Sequence, residues 1–235
     1  MGLSIARSAL CGSVAAFGAL LAGCSGYQGV QVRDHDSPAL ALRATVRPQA
    51  WGHGQRSEGG IEFGYERYRG TSTQPIAAGT FVDVGAQTIS GPDSLRNEAT
   101  VQQVHVAYAH RFHFGPNFQL EPMGGLADLN LALKVKPTTA PVQPSDESRY
   151  TALIYGITPR WRFNDKVAVE ARITGVSGGL VHGNSVDASL LLSPTPNVTL
   201  RVGYSDRSRY AVQRNSFSDL DIHVQGPSAS LASDF

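Results

Sequence analysis

The chain has 235 residues, with 25 glycines, 13 prolines and 41% apolar side chains, and its 20 basic and 19 acidic residues leave a formal charge of +1. That length suits one domain or two, and the near-neutral balance argues against a nucleic-acid partner, because phosphate binding leaves a basic surplus. Both cysteines, Cys11 and Cys24, lie at the start, so the body of the chain has no disulfide and no thiolate ligand, which removes zinc-finger and redox-motif readings.

Residues Met1–Gly23 begin with a short region bearing Arg7, continue through the apolar stretch Ala9–Leu21, and end Leu21-Ala22-Gly23 ahead of Cys24. An apolar run of this length is short for a spanning helix and reads as the core of a secretory signal. Small residues before the cut admit the extended chain to a peptidase, and a new N-terminal cysteine offers a thiol. Leu21-Ala22-Gly23-Cys24 resembles the lipobox of bacterial lipoproteins. The resemblance implies cleavage before Cys24, thioether lipidation of Cys24, and a tether of two or three acyl chains such as palmitate, enough for stable anchoring. Ser25 in place of aspartate implies passage to the outer membrane of a Gram-negative envelope. The expected organisation is a signal peptide over 1–23, a lipidated tether with a possible extra strand over 24–58, and a β-domain over 59–235.

After the polar stretch Ser25–Ser37, short segments alternate with a two-residue period, the signature of strands. The segments begin at Gly60, Val101, Phe118, Tyr150, Val167, Ser185, Val198 and Leu220. In Val104–Phe114 one face holds Val104, Val106, Tyr108, Phe112 and Phe114, and the other His105, Ala107, Ala109, Arg111 and His113. In Val167–Ile173, valines, Ala171 and Ile173 oppose Ala168, Glu170 and Arg172. In Val198–Tyr204, Val198, Leu200, Val202 and Tyr204 oppose Thr199, Arg201 and Gly203. Phe118–Val135 changes phase near Gly124-Gly125, where paired glycines suggest a β-bulge. Pro38–Val46 reads equally as tether, strand or part of a first hairpin.

Two kinds of connection follow. Gly115-Pro116-Asn117, Asn164-Asp165 and Thr195-Pro196-Asn197 are tight turns, whereas Thr71–Thr100, Lys136–Arg149, Ser177–Asn184 and Ser205–Asp219 read as long polar links. Alternating short and long connections is similar to outer-membrane barrels, with short periplasmic turns. The chain's final Phe235, behind Leu231, resembles their assembly signal, although Pro227 should interrupt that strand. The expected fold is all-β: a closed antiparallel up-and-down barrel of eight transmembrane strands, the smallest common size, with both ends of the set in the periplasm beside the tether.

A membrane barrel turns its apolar face to lipid and its polar face inward. Glu62, Glu66, Arg111, Glu121, Arg160, Glu170, Arg172, Asp187, Arg201 and Asp221 carry both signs on the polar faces and can pair inside a narrow lumen. Aromatics near strand ends (Tyr65 and Tyr68, Phe112 and Phe114, Trp161 and Phe163, Tyr204 and Tyr210) suit interfacial girdles. No metal site or cofactor is expected, since His105 and His113 share a face but lie about 26 Å apart along a strand. No catalytic residue is expected either: His182 and Ser185, with Asp187 beyond, fall on opposite strand faces, His35-Asp36-Ser37 lies in the tether, and no Gly-x-Ser-x-Gly elbow occurs. The expected role is structural or surface interaction, with membrane lipid and envelope or extracellular macromolecules as partners. A periplasmic lipoprotein whose soluble β-barrel binds a small apolar ligand, and a lipid A hydrolase, are the alternatives.

Overall fold

In the computed structural model, residues 26–48, 57–84, 87–139, 141, 143–195, 197–212 and 219–234 are described. Cys24, the whole lipobox segment and Phe235 lie outside the described residues. Every regular element among them is a strand: β1 (Gly26–Tyr27), β2 (Val30–Asp34), β3 (Ala39–Val46), β4 (Ser57–Ile76), β5 (Thr80–Val84), β6 (Gln87–Ser90), β7 (Asp93–Phe114), β8 (Phe118–Pro137), β9 (Ser145–Arg162), β10 (Val167–Ser177), β11 (Val181–Thr195), β12 (Val198–Val212) and β13 (Asp219–Asp234).

The eight segments expected as strands are β4 and β7 to β13, each antiparallel to the next. The turns between them follow local chemistry. Gly115 takes a φ of +75°, which suits glycine at the head of Gly115-Pro116-Asn117. The Asn164 carboxamide oxygen accepts hydrogen bonds from the Lys166 and Val167 N–H groups at 2.9 Å each, a side-chain turn between β9 and β10.

The count of eight is corrected. The large sheet has ten strands, and a further pairing of β12 with β13 brings them into a ring. β2 and β3 lie end to end along β13, both parallel to it, and β3 is antiparallel to β4. They share one position, so the ring has an odd number of positions and a parallel seam. Pro38–Val46 was ambiguous because its alternation is between two apolar sizes: Ala39 and Ala41 face in, while Leu40 and Leu42 are exposed. Pro227 does not interrupt β13. Its ring falls between Val224, the last partner of β2, and Ser228, the first partner of β3, where no ladder donor is required. Asp34 pins this break: its carboxylate accepts from the Thr71 N–H at 2.7 Å, the Ser37 hydroxyl at 2.8 Å and the Asp36 N–H at 3.1 Å.

The strands are also longer than expected at one end. β7 has 22 residues and β8 has 20, so much of the presumed long links is ladder, and β10 and β11 are joined by Gly178–Leu180 alone. The three tight turns share one end of the ring, the turn end. At the opposite, loop end, β5 and β6 form a hairpin, joined by β1 parallel to β5, and their Val82, Val84 and Ile89 are buried in the same cluster as Leu95, Leu133 and Val135. Val30 pairs with Leu220 near the start of β13, so the chain enters the ring from the loop end. The expectation that the N-terminal tether and the tight turns share a side is therefore corrected. The extra strand adds one crossing.

Side-chain polarity divides the ring into two zones. Toward the turn end the outward side chains are apolar: Val104, Val106, Tyr108, Phe112 and Phe114 on β7, Leu126 on β8, and Leu153, Tyr155, Ile157 and Trp161 on β9, all exposed. The inward ones there are Glu62, His105, Arg111, Glu121, Glu170 and Arg172, all buried. Toward the loop end the order reverses. Leu129, Leu131 and Leu133 face in and are at most 1% exposed, each such burial contributing about 1.5–3 kcal/mol, while Asp128, Asn130 and Lys134 face out.

This reversal replaces the expected bulge. β8 keeps one register through the paired glycines: Met123 pairs with Ala109, Gly124 with Tyr108, Gly125 with Ala107 and Leu126 with Val106. The phase of the apolar residues changes because the side they face changes, from outside up to Leu126 to inside from Leu129 onward.

Candidate functional site: a buried lattice of charges

Inside the turn-end zone strand alternation brings charged side chains inward, two residues apart on β10 and four apart on β4, and several neighbouring strands offer the opposite sign. Glu62 on β4 sits at the centre. Arg172 grips it from β10 with two hydrogen bonds, Nη1 to Oε2 at 3.1 Å and Nη2 to Oε1 at 2.5 Å, and His105 Nε2 lies 2.9 Å from Oε1. Gly64 makes this possible. A Cβ there would stand 2.0 Å from the His105 ring, its cross-strand partner.

Two further carboxylates each take two arginines. Glu170 accepts from Arg160 at 2.6 and 3.0 Å and from Arg201 at 3.2 Å. Glu121 accepts from Arg111 at 2.9 Å and Arg47 at 2.7 Å. Where the zones meet, Arg207 bonds Glu66 and, at 2.8 Å, Asp187. Its guanidinium lies 5.5 Å from the centre of the Tyr68 ring, which belongs to the apolar cluster above. Beside it Arg209 donates to the Asn184 and Ser208 carbonyls at 2.8 Å each and to the Ser185 hydroxyl at 3.0 Å. Forked, charge-assisted bonds of this kind are the strong ones, and arginine's rigid planar donor set suits them better than lysine.

Nine of the ten charged residues expected to line the interior do so. Asp221 does not: it faces out in the loop-end zone, 3.6 Å from the exposed Arg33. The sequence reading missed Arg43, Arg47, Arg207 and Arg209. The last two lay in a stretch taken for a loop, yet Ser205, Arg207 and Arg209 alternate with Asp206, Ser208 and Tyr210 and would have revealed a strand. Among the expected aromatic pairs, Tyr65, Phe112, Phe114, Trp161, Phe163 and Tyr204 are exposed on the outer face, whereas Tyr68 is buried inside. At the turn end, rings run in sequence from His110 through Phe112, Phe114 and Phe118 to Trp161, with centroids 4.6–6.4 Å apart.

The histidines disperse. His113 faces Glu58 at 3.3 Å, His182 stacks outside on Tyr210, and His223 bonds Asp206 at 2.8 Å. Among the described residues no three His, Cys, Asp or Glu side chains are grouped to hold a metal ion. His182 and Ser185 stand on opposite faces, with Ser185 buried against Arg209, and the Ser37 hydroxyl is bound to Asp34. Comparison with known protein families, characterised proteins and solved structures finds no match for this chain.

Proposed function

We propose that this chain is a small transmembrane β-barrel of the bacterial outer membrane, lipid-anchored through Cys24, with a structural or surface-interaction role and no catalytic activity. One observation carries the reading: around the turn end the wall is apolar outside and salt-bridged inside. A soluble protein has no reason to expose Val104, Val106, Leu126, Leu153, Tyr155 and Trp161 in one continuous belt. The belt covers Val104–Phe114 on β7 and Leu153–Trp161 on β9, matching the 9–11 residues a tilted strand uses to cross about 25 Å of hydrocarbon. The row of aromatics across β7, β8 and β9 at the turn end fits part of an interfacial girdle.

In this reading the loop-end zone stands clear of the bilayer as a conventional apolar-cored wall, and its outer face meets envelope or extracellular macromolecules. An acylated Cys24, just before β1, shares the compartment of the loop end. Detergent-extracted full-length protein should migrate anomalously on SDS gels unless boiled. Identical migration with and without boiling, together with recovery in the soluble fraction of cells lacking the acyl anchor, would remove the membrane reading.

A further inference from the structure

The lattice of charges does not balance. Arg43, Arg47, Arg111, Arg160, Arg172, Arg201, Arg207 and Arg209 point into the ring among the described residues, against the carboxylates of Glu58, Glu62, Glu66, Glu121, Glu170 and Asp187. Eight cations face six anions. A buried cation without a partner is costly, because it has surrendered its hydration and gains no attraction in return.

Two of these arginines, Arg43 and Arg209, have no carboxylate within hydrogen-bond distance, and Arg209 is held by neutral acceptors. Arg43 lies on the inward face of β3, between Ala41 and Thr45; no hydrogen bond or close ion pair ties it to a described residue, and the carboxylates of Glu62 and Asp187 attract it only from a distance. A small cavity beside it is lined by Arg43, by Arg201 and Arg207 of β12, and by Ser189, Ser228 and Ser230. The Nη1 atoms of both Arg201 and Arg207 are buried and have no hydrogen-bond partner. The cavity also touches Glu170 and Asp187, but these already accept from Arg160, Arg201 and Arg207. The opening exists because the parallel seam is built from small residues, Ala39 and Ala41 on β3 opposite Ser228 and Ser230 on β13.

We infer that this cavity binds one small inorganic anion of chloride size, held by Arg43, Arg201 and Arg207 with the serine hydroxyls completing its shell. A water molecule could accept the same donors but would leave the charge uncompensated. The space holds about one water-sized particle, so a halide enters only with a small outward shift of the long Arg43 side chain, and a tetrahedral oxyanion would demand a much larger one. The site depends on the ring interior alone and not on the membrane reading, so the gel-shift experiment and the one below can fail independently.

The test uses the folded full-length chain. Bromide replaces chloride in crystallisation, and an anomalous difference map is computed; a peak bounded by Arg43, Arg201 and Arg207 is expected. In parallel, the thermal midpoint is followed as sodium chloride replaces sodium gluconate at constant ionic strength. The midpoint should climb with chloride in the wild type and stay flat in Arg43→Met, while Arg67→Gln, an exposed arginine on the outer face, should follow the wild type. An empty or water-filled cavity in the bromide crystal, or an undiminished chloride response in Arg43→Met, overturns the inference. The crystal decides even where Arg43→Met does not fold.

Discussion

The pair formed by Glu62 and Arg172 offers the most exacting measurement of what the charge lattice contributes. Their side chains are 4% and 5% exposed, so water cannot take over when one partner is removed. Glu62→Gln keeps the volume but removes the negative charge opposite Arg172 and leaves one accepting oxygen where Arg172 and His105 had two. Breaking a buried pair from one side costs about 3–5 kcal/mol, which at about 1.4 kcal/mol per decade is roughly a hundred- to several-thousand-fold in the folding constant. Replacing both, as Glu62→Leu with Arg172→Met, removes the stranded charge and should be near neutral, or stabilising by up to about 4 kcal/mol. Guanidinium unfolding of the refolded chain, followed by far-UV circular dichroism across the double-mutant cycle, reads the coupling directly. Arg149→Gln, which breaks an exposed pair with Asp128, should not move the midpoint. A Glu62→Gln variant as stable as Arg149→Gln, or a double variant that loses the sum of the two single losses, would refute the reasoning.

Three other outcomes follow from the same geometry. Val106→Arg places a charge in the middle of the outward apolar belt and should destabilise vesicle-inserted protein by about 2–4 kcal/mol, whereas Ala132→Arg, on the outer face of the loop-end zone, should not; equal losses in equilibrium unfolding would argue against the belt facing lipid. Single cysteines at Asn117 and Lys136, at opposite ends of the ring, should differ toward a membrane-impermeant maleimide in intact cells and become equal after permeabilisation. At Asp34, burial works to raise the carboxyl, but the hydrogen bonds from Thr71, Ser37 and Asp36 outweigh it and hold the group below the ordinary carboxylate range. A lowered folded value means that its stabilising contribution is complete above about pH 4, the unfolded range, and disappears as the pH falls through the folded value. Asp34→Asn should flatten that part of the acid unfolding curve, and an unchanged acid limb would show that the break between β2 and β3 is held otherwise.

Strand positions, the three tight turns and the inward face of the turn-end zone were legible in the sequence because each rests on local chemistry: alternation, glycine and asparagine in turns, and charges opposite valines. What escaped had a non-local cause. Leu129, Leu131 and Leu133 obey the same alternation as Leu120 and Leu126, but which face is inside depends on what surrounds the ring at that height, and no window of residues carries that information. At Gly124-Gly125 the change of phase reflects a change of environment along an unbroken backbone register. Pairing partners of β3 were equally hidden, because an Ala–Leu alternation lacks the polar contrast that marks a face. Arg207 and Arg209 were missed for a different reason: a run of hydrophilic residues was equated with a loop, although half of it packs against Asn184, Ser185 and Asp187.

In the membrane setting proposed above, the reversal of polarity along β4, β7, β8 and β9 would work like a waterline painted on a hull. Strands of uniform character can ride up or down in a bilayer with little change in energy. If the belt faces lipid as proposed, a shift of two residues toward the loop end would sink Arg67, Gln102 and Asp128 into oil while lifting Phe112 and Phe114 out of it, and a shift the other way would strand Tyr65 and Leu153 in water. The draught of the vessel is thus written into each plank separately, and every plank agrees.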